Sequence, residues 1–457
     1  MPYLHYQKIF EKDIMSGGVM QSVMGTVFAR AYFKNLKVAI TGDSLAEQNW
    51  GSVDSQSTEL RTTGYLTTTN ALLAKPYDMP YACNFGYSGQ RVAYFLSQFS
   101  ANCGAYITAN DVDHLYITYP SNDIEDQTRT AQAVIDDYES LIDLAVATGV
   151  KHIFCNGAQP RGDWESETAG DLTHNVEKLH DVHNGIRALC ENYSNVHFVD
   201  FFNLMVDPAI TEPTSGLTYY PLDEGFINSD GVHLAPYGTY TIQTVIKGIL
   251  ENIGEWAEPK ELISTDNAFN LNPDMAGTGG NISTGASGVA ADDTRIQRGS
   301  GSTMTIVGSK DIQYIFGISQ VTQKLEVTNN SASAEDCYFY VEYPEPDVDL
   351  EIGEGIQTTS YVKITEATNI NTIYLYNRVT IGGVNYIARD MNTVSTQKVP
   401  DTSQTGNVDM VLRNEALPVP SAGTTTRCQQ LIRIGSIADA GTETATVHVG
   451  RSIMEVV

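Results

Sequence analysis

The clearest candidate for a reactive side chain is a serine that follows a short apolar stretch near residue 40. Residues 37–45 read KVAITGDSL, so that an apolar run ends at Gly42 and Ser44 follows two residues later. This pattern predicts a buried strand that turns into a helix and exposes the Ser44 hydroxyl at the carboxyl edge of a sheet. The following helix would also point backbone N–H groups at a developing anion. The alternative is that Asp43 or Ser44 only caps that helix, and this segment alone leaves both interpretations open.

Three further motifs follow in order, so that GDSL, NFGYSG, PSND and DGVH stand at residues 42–45, 84–89, 120–123 and 230–233. Together they resemble the four sequence blocks of the SGNH (GDSL) hydrolase family. The resemblance implies a serine esterase with Ser44 as nucleophile and with Asp230 and His233 as its catalytic partners. It also implies an oxyanion hole formed by the Ser44 N–H, the Gly89 N–H and the side-chain amide of Asn122. We expect no cofactor and no metal.

The residue types in these motifs suit ester hydrolysis. A serine hydroxyl is a poor nucleophile at neutral pH, so it needs a base with a pKa of about 6 to 7 within hydrogen-bonding reach, and His233 is the candidate. Asp230 lies three residues earlier and can accept from the imidazole N–H, which fixes the tautomer and stabilises the cation. Removing one oxyanion donor typically costs about 3 kcal/mol of transition-state stabilisation.

The resemblance has two limits. The third block of the family commonly has a glycine two residues before its asparagine, whereas this chain has Pro120. We therefore expect a stiffer Asn122 loop, which affects the shape of the pocket more than the catalysis. The resemblance extends over residues 36–253 and says nothing about the rest of the chain.

Other polar and aromatic residues are weaker candidates. Trp50 follows Ser44 closely and is expected either to line the pocket or to belong to the core. Arg161 follows a predicted strand at the active-site edge, where it would contact substrate or form an ion pair that stabilises its loop. His174, His180 and His183 share a predicted helix, but their spacings do not place all three on one face, so we expect exposed or packing histidines and no metal site.

Composition and charge restrict the classes of partner. Hydrophobic residues make up 42% and charged residues 18% of the chain, which is typical of a folded globular protein. A net charge of -28 disfavours nucleic acids and anionic membranes as partners. We expect no secretion signal in the first residues and no membrane span, since no run of about 18 apolar residues occurs. A role outside the cell would then require release by lysis or assembly into a particle.

The cysteines are far apart and form no CxxC pair, so we expect six free, buried thiols: Cys83, Cys103, Cys155, Cys190, Cys337 and Cys428.

Between residues 36 and 255, short apolar runs alternate with segments of helical periodicity, which predicts parallel strands joined by crossover helices. The predicted strands are 36–41, 81–84, 114–118, 152–155 and 196–199. A helix is predicted over 131–147, with one apolar face formed by Val134, Tyr138, Leu141, Ile142 and Ala145. A last helix is predicted to begin near Pro236 and to present Tyr240, Val245, Ile249 and Ile253. This order predicts an α/β sandwich, and the family resemblance implies the three-layer SGNH type.

After residue 258 the helical pattern ends, and a loop-like stretch at 270–302 precedes several short β-type runs. These runs predict an all-β antiparallel sandwich over residues 258–457, after a lead-in segment at 1–30 and a hydrolase domain at 31–257. The runs at 271–280 and 446–451 resemble jelly-roll modules of phage tail and tailspike proteins. Such a module would bind sugar through its tyrosines (Tyr338, Tyr340, Tyr374 and Tyr376) or would only aid assembly of a homotrimer.

The two resemblances together imply an esterase that removes O-acetyl groups from an acetylated bacterial surface polysaccharide, within a tailspike-like protein of a virion or the extracellular space. A general carboxylesterase or lipase, and a carbohydrate-binding adhesin without turnover, are the alternatives. Because every candidate catalytic residue precedes Pro259, we expect residues 1–257 to fold and to hydrolyse small esters alone.

Overall fold

The computed structural model describes residues 36–456 with interruptions. The residues outside the description are 1–35, 50, 53–58, 63, 75, 119–120, 223–225, 229, 258, 260–261, 263–264, 266–267, 269–271, 284, 332, 334, 345–348, 352–353, 369, 391–405, 415–422, 437–442 and 457. The predicted lead-in segment, Trp50 and Pro120 therefore lie outside the described residues.

Strands and helices alternate through the first half of the chain. The strands are β1 (Leu36–Gly42), β2 (Gly51–Ser52), β3 (Glu59–Thr62), β4 (Tyr77–Asp78), β5 (Asn84–Gly86), β6 (His114–Ile117), β7 (His152–Asn156) and β8 (Val196–Val199). The helices are α1 (Ser44–Glu47), α2 (Tyr65–Leu72), α3 (Val92–Gln98), α4 (Cys103–Asn110), α5 (Ser121–Ile124), α6 (Ala131–Ala147), α7 (Ala169–Cys190), α8 (Phe202–Met205) and α9 (Pro236–Asn252).

A parallel sheet in the order β4–β1–β6–β7–β8, with β5 paired to the carboxyl end of β1, forms the middle layer. Successive side chains of its central strands face opposite layers. Leu115 and Ile153 pack in the core that contains α6 and α7. Tyr116 and Phe154 pack in the core that contains α2 and α9. The α/β sandwich predicted from the sequence is confirmed, because strands buried on both faces need a helical layer on each side.

Most predicted elements match the structure, and the predictions for 131–147 and 196–199 match to the residue. The prediction of a strand over 81–84 is wrong, since Tyr81–Cys83 form a 3-10 turn and β5 begins only at Asn84. The predicted face of the last helix is displaced by about one position. Ile242, Ile246 and Leu250 of α9 are fully buried against the sheet. Of the predicted residues, Val245, Ile249 and Ile253 lie along the border of that contact, whereas Tyr240 packs against the core of the second half of the chain.

The second half is a sandwich of two mainly antiparallel sheets. Its strands are β9 (Gly279–Ile282), β10 (Ala286–Gly288), β11 (Ala290–Arg298), β12 (Thr305–Ile315), β13 (Ile318–Asn329), β14 (Asp336–Pro344), β15 (Asp349–Leu350), β16 (Ile356–Thr368), β17 (Ile370–Ile381), β18 (Val384–Asp390), β19 (Val408–Asn414), β20 (Gly423–Ser436) and β21 (Glu443–Val456). One sheet has the order β10–β12–β13–β21–β16–β19. The other has the order β2–β3–β18–β17–β20–β14–β11–β9, with β15 beside β20. The predicted β-sandwich is therefore confirmed, and the arrangement fits a jelly-roll module.

The second sheet also contains two strands from the first half of the chain. The hairpin of β2 and β3 follows α1 directly, and β3 pairs in parallel with β18. Next to this hairpin, α2 packs against β19, and its residues Ala71 and Leu72 are buried in the core of the sandwich. Hydrogen bonds and apolar contacts therefore connect the two halves.

All six cysteines are free and buried, as expected from the sequence. Among the described helices, none has the length and apolar character that crossing a bilayer requires.

Candidate active site

Ser44 is the first residue of α1, directly after the turn that ends β1. Asp43 is the N-cap of this short helix, and its Oδ1 accepts a 3.0 Å hydrogen bond from the Leu45 amide. Both interpretations of the sequence therefore hold, because Asp43 caps the helix and thereby fixes Ser44 at its tip.

Asp43 also connects the nucleophile turn to the neighbouring loop. Its carboxylate is buried, and it accepts hydrogen bonds from the hydroxyls of Thr118 and Ser121. Burial raises the pKa of Asp43 above its ordinary value, although the hydrogen bonds from Ser121 and Leu45 oppose that shift. Because Ser121 begins α5, Asp43 holds the Ser44 turn and the Asn122 helix in one arrangement.

The side chains of Ser44, His233 and Asp230 form a continuous chain of hydrogen bonds. His233 Nε2 lies 2.9 Å from Ser44 Oγ, and His233 Nδ1 lies 2.8 Å from Asp230 Oδ2. The other carboxylate oxygen of Asp230 accepts bonds of 2.9 Å from the amides of Val232 and His233. Partial burial by itself would raise the pKa of Asp230, but these hydrogen bonds outweigh it and hold the pKa below its ordinary value. An ionised Asp230 orients the ring so that Nε2 faces the hydroxyl.

The loop that carries Asp230 and His233 rests on the segment after β7. Gly231 has a φ of +73°, and its carbonyl oxygen accepts a 2.9 Å bond from the amide of Gly162. The side-chain amide of Gln159 donates to the Val232 carbonyl oxygen. These contacts fix the loop against the segment after β7 and so determine the position of His233.

The loop after β5 lies between the Ser44 turn and Asn122. The amide of Tyr87 donates a 2.8 Å bond to the carbonyl of Gly42, and a turn closed by Gln90 N–H to Tyr87 C=O places Gly89 at a φ of +72°. Glycine adopts this φ without steric cost. The side-chain amide of Asn122 donates a 2.9 Å bond to the Gln90 carbonyl. The structure thus groups the segments of all three predicted oxyanion donors.

Arg161 is buried beneath this region instead of lying open in it. Its guanidinium donates to Asp163 at 2.9 and 2.6 Å and to the carboxylate of Glu125, and it stacks over the ring of Trp164. Only 4% of its side chain is exposed. This environment agrees with the stabilising ion pair expected from the sequence and leaves little of the guanidinium open to a substrate.

The three histidines of α7 are kept apart by separate contacts. His174 is exposed, His180 Nε2 lies 2.8 Å from the Thr218 carbonyl oxygen, and His183 Nδ1 accepts from the Ala158 amide at 3.0 Å. No group of three or more histidine, cysteine or acidic side chains within the described residues could hold a metal ion.

Asn49 is a structural residue of the site that no sequence motif indicates. It is fully buried, and its amide donates 3.1 Å bonds to the carbonyls of Leu45 and Ala46. Its Oδ1 accepts from the amides of Leu66 and Thr67 at 2.8 and 3.0 Å. Asn49 thereby ties α1 to α2 and closes the base of the hairpin between them. Only the fold brings these backbone groups together.

A family model described as GDSL-like Lipase/Acylhydrolase family matches residues 40–238. No curated protein matches the chain. Among solved structures, a carbohydrate esterase family 3 protein from Talaromyces cellulolyticus is 16% identical and covers 49% of this chain and 100% of its own, with a TM-score of 0.32. A GDSL-like lipase from Bacteroides thetaiotaomicron is 16% identical and covers 50% of this chain and 96% of its own, with a TM-score of 0.35. A lipase/acylhydrolase from Enterococcus faecalis is 13% identical and covers 50% of this chain and 100% of its own, also with a TM-score of 0.35.

Proposed function

Residues 40–238 form a GDSL-like lipase/acylhydrolase domain, and from this premise we propose that the protein is a serine esterase that removes O-acetyl groups from a bacterial surface polysaccharide. The observation that carries the proposal is the 2.9 Å approach of His233 Nε2 to Ser44 Oγ, with Asp230 on the far side of the ring.

In this reaction His233 Nε2 accepts the Ser44 proton while Ser44 Oγ attacks the ester carbonyl carbon. The oxyanion is stabilised by the N–H groups of Ser44 and Gly89 and by the Asn122 amide. The protonated His233 then donates its proton to the departing sugar oxygen, which leaves an acetylated Ser44. His233 next activates a water molecule that releases acetate and restores the serine.

The exposure of the reacting groups supports an ester carried on a large polymer. The side chains of Asp230 and His233 are 48% and 26% exposed, so they lie at the protein surface. Tyr87, on the loop bonded to the Ser44 turn, is 50% exposed and offers an aromatic contact near the reacting centre. An ester on a polysaccharide can reach such a surface without threading the chain through a tunnel.

We extend the proposal to a tailspike-like protein that acts in a virion or outside the cell, as a homotrimer. Its support is the resemblance of residues 271–280 and 446–451 to jelly-roll modules of phage tail and tailspike proteins.

The test is acetate release from a panel of O-acetylated bacterial polysaccharides, together with hydrolysis of p-nitrophenyl acetate. We expect the wild-type protein to release acetate from at least one polymer and the Ser44→Ala variant to do so at least about 10⁴-fold more slowly. Equal rates for the two proteins would refute the mechanism. Turnover of p-nitrophenyl acetate without acetate release from any polymer would instead indicate a general carboxylesterase.

A further inference from the structure

The outer face of the nine-stranded sheet carries two rows of side chains that are aromatic or polar except for one leucine. In the strand order β11, β14, β20 and β17, the rows are Gln297, Tyr338, Arg433 and Tyr374, then Arg295, Tyr340, Leu431 and Tyr376. The residues between them in sequence belong to the sandwich core: Ile296, Phe339, Ile432 and Leu375. Because successive side chains of a strand face opposite sides, both rows face away from the core. We call these eight residues the tyrosine platform.

Arginine side chains hold the aromatic rings of the tyrosine platform in place. Arg433 donates a 2.8 Å bond to the Tyr374 hydroxyl and bonds of 2.9 and 2.5 Å to the carboxylate of Asp336. The guanidinium of Arg295 lies 4.4 Å from the ring centre of Tyr340. Side chains ordered before binding lose little conformational entropy when a ligand arrives.

Tyr338, Tyr340 and Tyr376 are partly exposed, whereas Tyr374 and Leu431 of the same face are buried, so these three tyrosines are the rings of the platform that reach the surface. Sugar rings present apolar C–H faces surrounded by hydroxyl groups. Tyrosine rings match the C–H faces, while the guanidinium of Arg433 and the amide of Gln297 can hydrogen-bond the hydroxyls. The net charge of -28 disfavours a nucleic acid, which would also stack on aromatic rings.

The sheet that carries the tyrosine platform continues to the segment that follows the nucleophile. Tyr376 lies opposite Arg389 of β18, and Arg389 lies opposite Arg61 of β3. With neighbouring strands about 4.8 Å apart, β3 lies about 10 Å from Tyr376 across the sheet. The hairpin of β2 and β3 is closed at its base by Asn49, which is bonded to the helix that Ser44 begins.

From this arrangement we infer that the tyrosine platform binds a segment of a polysaccharide chain, and that the β2–β3 hairpin holds it in a constant position relative to Ser44. The choice of a polysaccharide as the ligand rests on the function proposed above. A polymer bound there raises the effective concentration of its esters at the active site without contributing to the chemical step.

The test measures binding in the Ser44→Ala protein, so that turnover does not alter the polymer. The mobility of the Ser44→Ala protein is compared in native gels that contain partly acetylated xylan, acetylated dextran or no polymer. We expect at least one polymer to retard the protein. Tyr338→Ala and Tyr376→Ala should each weaken the apparent affinity about five- to tenfold, since each removes one stacking surface. Two separate tyrosines are substituted so that a folding defect in one variant leaves the other informative.

The matched control is Tyr314→Ala on β12 of the other sheet, where the ring is 62% exposed and lies outside the tyrosine platform. This variant should bind like its parent. If neither polymer retards the protein, or if Tyr314→Ala weakens binding as much as the platform variants, the inference is wrong. Retardation by a polymer together with no hydrolysis of p-nitrophenyl acetate by the wild type would contradict the proposed esterase only. Acetate release from a polymer that does not retard the protein would contradict the platform only.

Discussion

Gly231 lies directly against the backbone of Asp163, so closely that a Cβ atom on Gly231 would stand 2.3 Å from the Asp163 amide nitrogen. Gly231 also has a φ of +73°, a backbone conformation that other residues adopt only with strain. The loop that carries Asp230 and His233 can therefore approach its support only if residue 231 is glycine.

Gly231→Ala should lower kcat for p-nitrophenyl acetate about 100-fold, because displacing a catalytic group by about 1 Å has effects of that size. Gly216→Ala is the matched control, since Gly216 has a φ of +71° with no atom near its missing Cβ. That variant should cost about 1 kcal/mol of stability and leave kcat unchanged. Equal kcat losses in both variants would show that backbone strain, and not the contact with Asp163, explains the effect.

Arg161→Gln should lower kcat at least tenfold while KM changes little. Its guanidinium joins Glu125, which follows the Asn122 helix, to Asp163, which supports the His233 loop. Removing one partner of a buried ion pair typically costs about 3 to 5 kcal/mol, so Tm should fall as well. The matched control is Lys151→Gln, which breaks a surface ion pair in which 62% of the lysine side chain is exposed. This variant should change neither kcat nor Tm. A higher KM at unchanged kcat would identify Arg161 as a substrate contact instead.

Acid should destabilise the protein through histidines at the amino ends of β6 and β8. Burial and repulsion from His152 lower the pKa of His114 to about 3, and the same two causes lower that of His197 to about 4. Unfolded histidines take up protons near pH 6.5, whereas these do so only at lower pH, so the free energy of unfolding should fall as the pH drops from about 6.5 toward 4.

Urea unfolding at pH 7 and pH 5 measures this loss. His197→Gln should reduce the difference in unfolding free energy between the two pH values, whereas His174→Gln, on the exposed face of α7, should leave it as in the wild type. If the His197 variant retains the full difference, the His197 imidazole is not its source.

Removing residues 258–457 should lower Tm and reduce hydrolysis of p-nitrophenyl acetate. The truncation leaves β3 without its partner β18 and exposes Ala71 and Leu72 of α2, which Asn49 connects to the nucleophile helix. Leu72→Ala in the full chain should destabilise in the same direction, by about 2 to 5 kcal/mol, without removing any strand. A truncated chain with the Tm and small-ester rate of the full chain would restore the expectation that residues 1–257 fold alone.

The sequence by itself determined the features that depend on local pattern. Helix α6 and strand β8 could be predicted to the residue because their apolar periodicity extends over the whole element. The four motifs indicated which side chains to expect at one edge of the sheet, since each motif follows a strand or precedes a helix. Tyr81–Cys83 were less predictable, because a short apolar run is compatible with both a strand and a 3-10 turn.

Only the tertiary structure decided how distant segments meet. Asn49 bonds to Leu66 and Thr67, and Arg161 bonds to Glu125, across separations that no local pattern records. The pairing of β3 with β18 joins residues more than 300 positions apart. Strand pairing and buried ion pairs form wherever unsatisfied polar groups meet once the chain has folded, and their partners therefore depend on the complete three-dimensional arrangement.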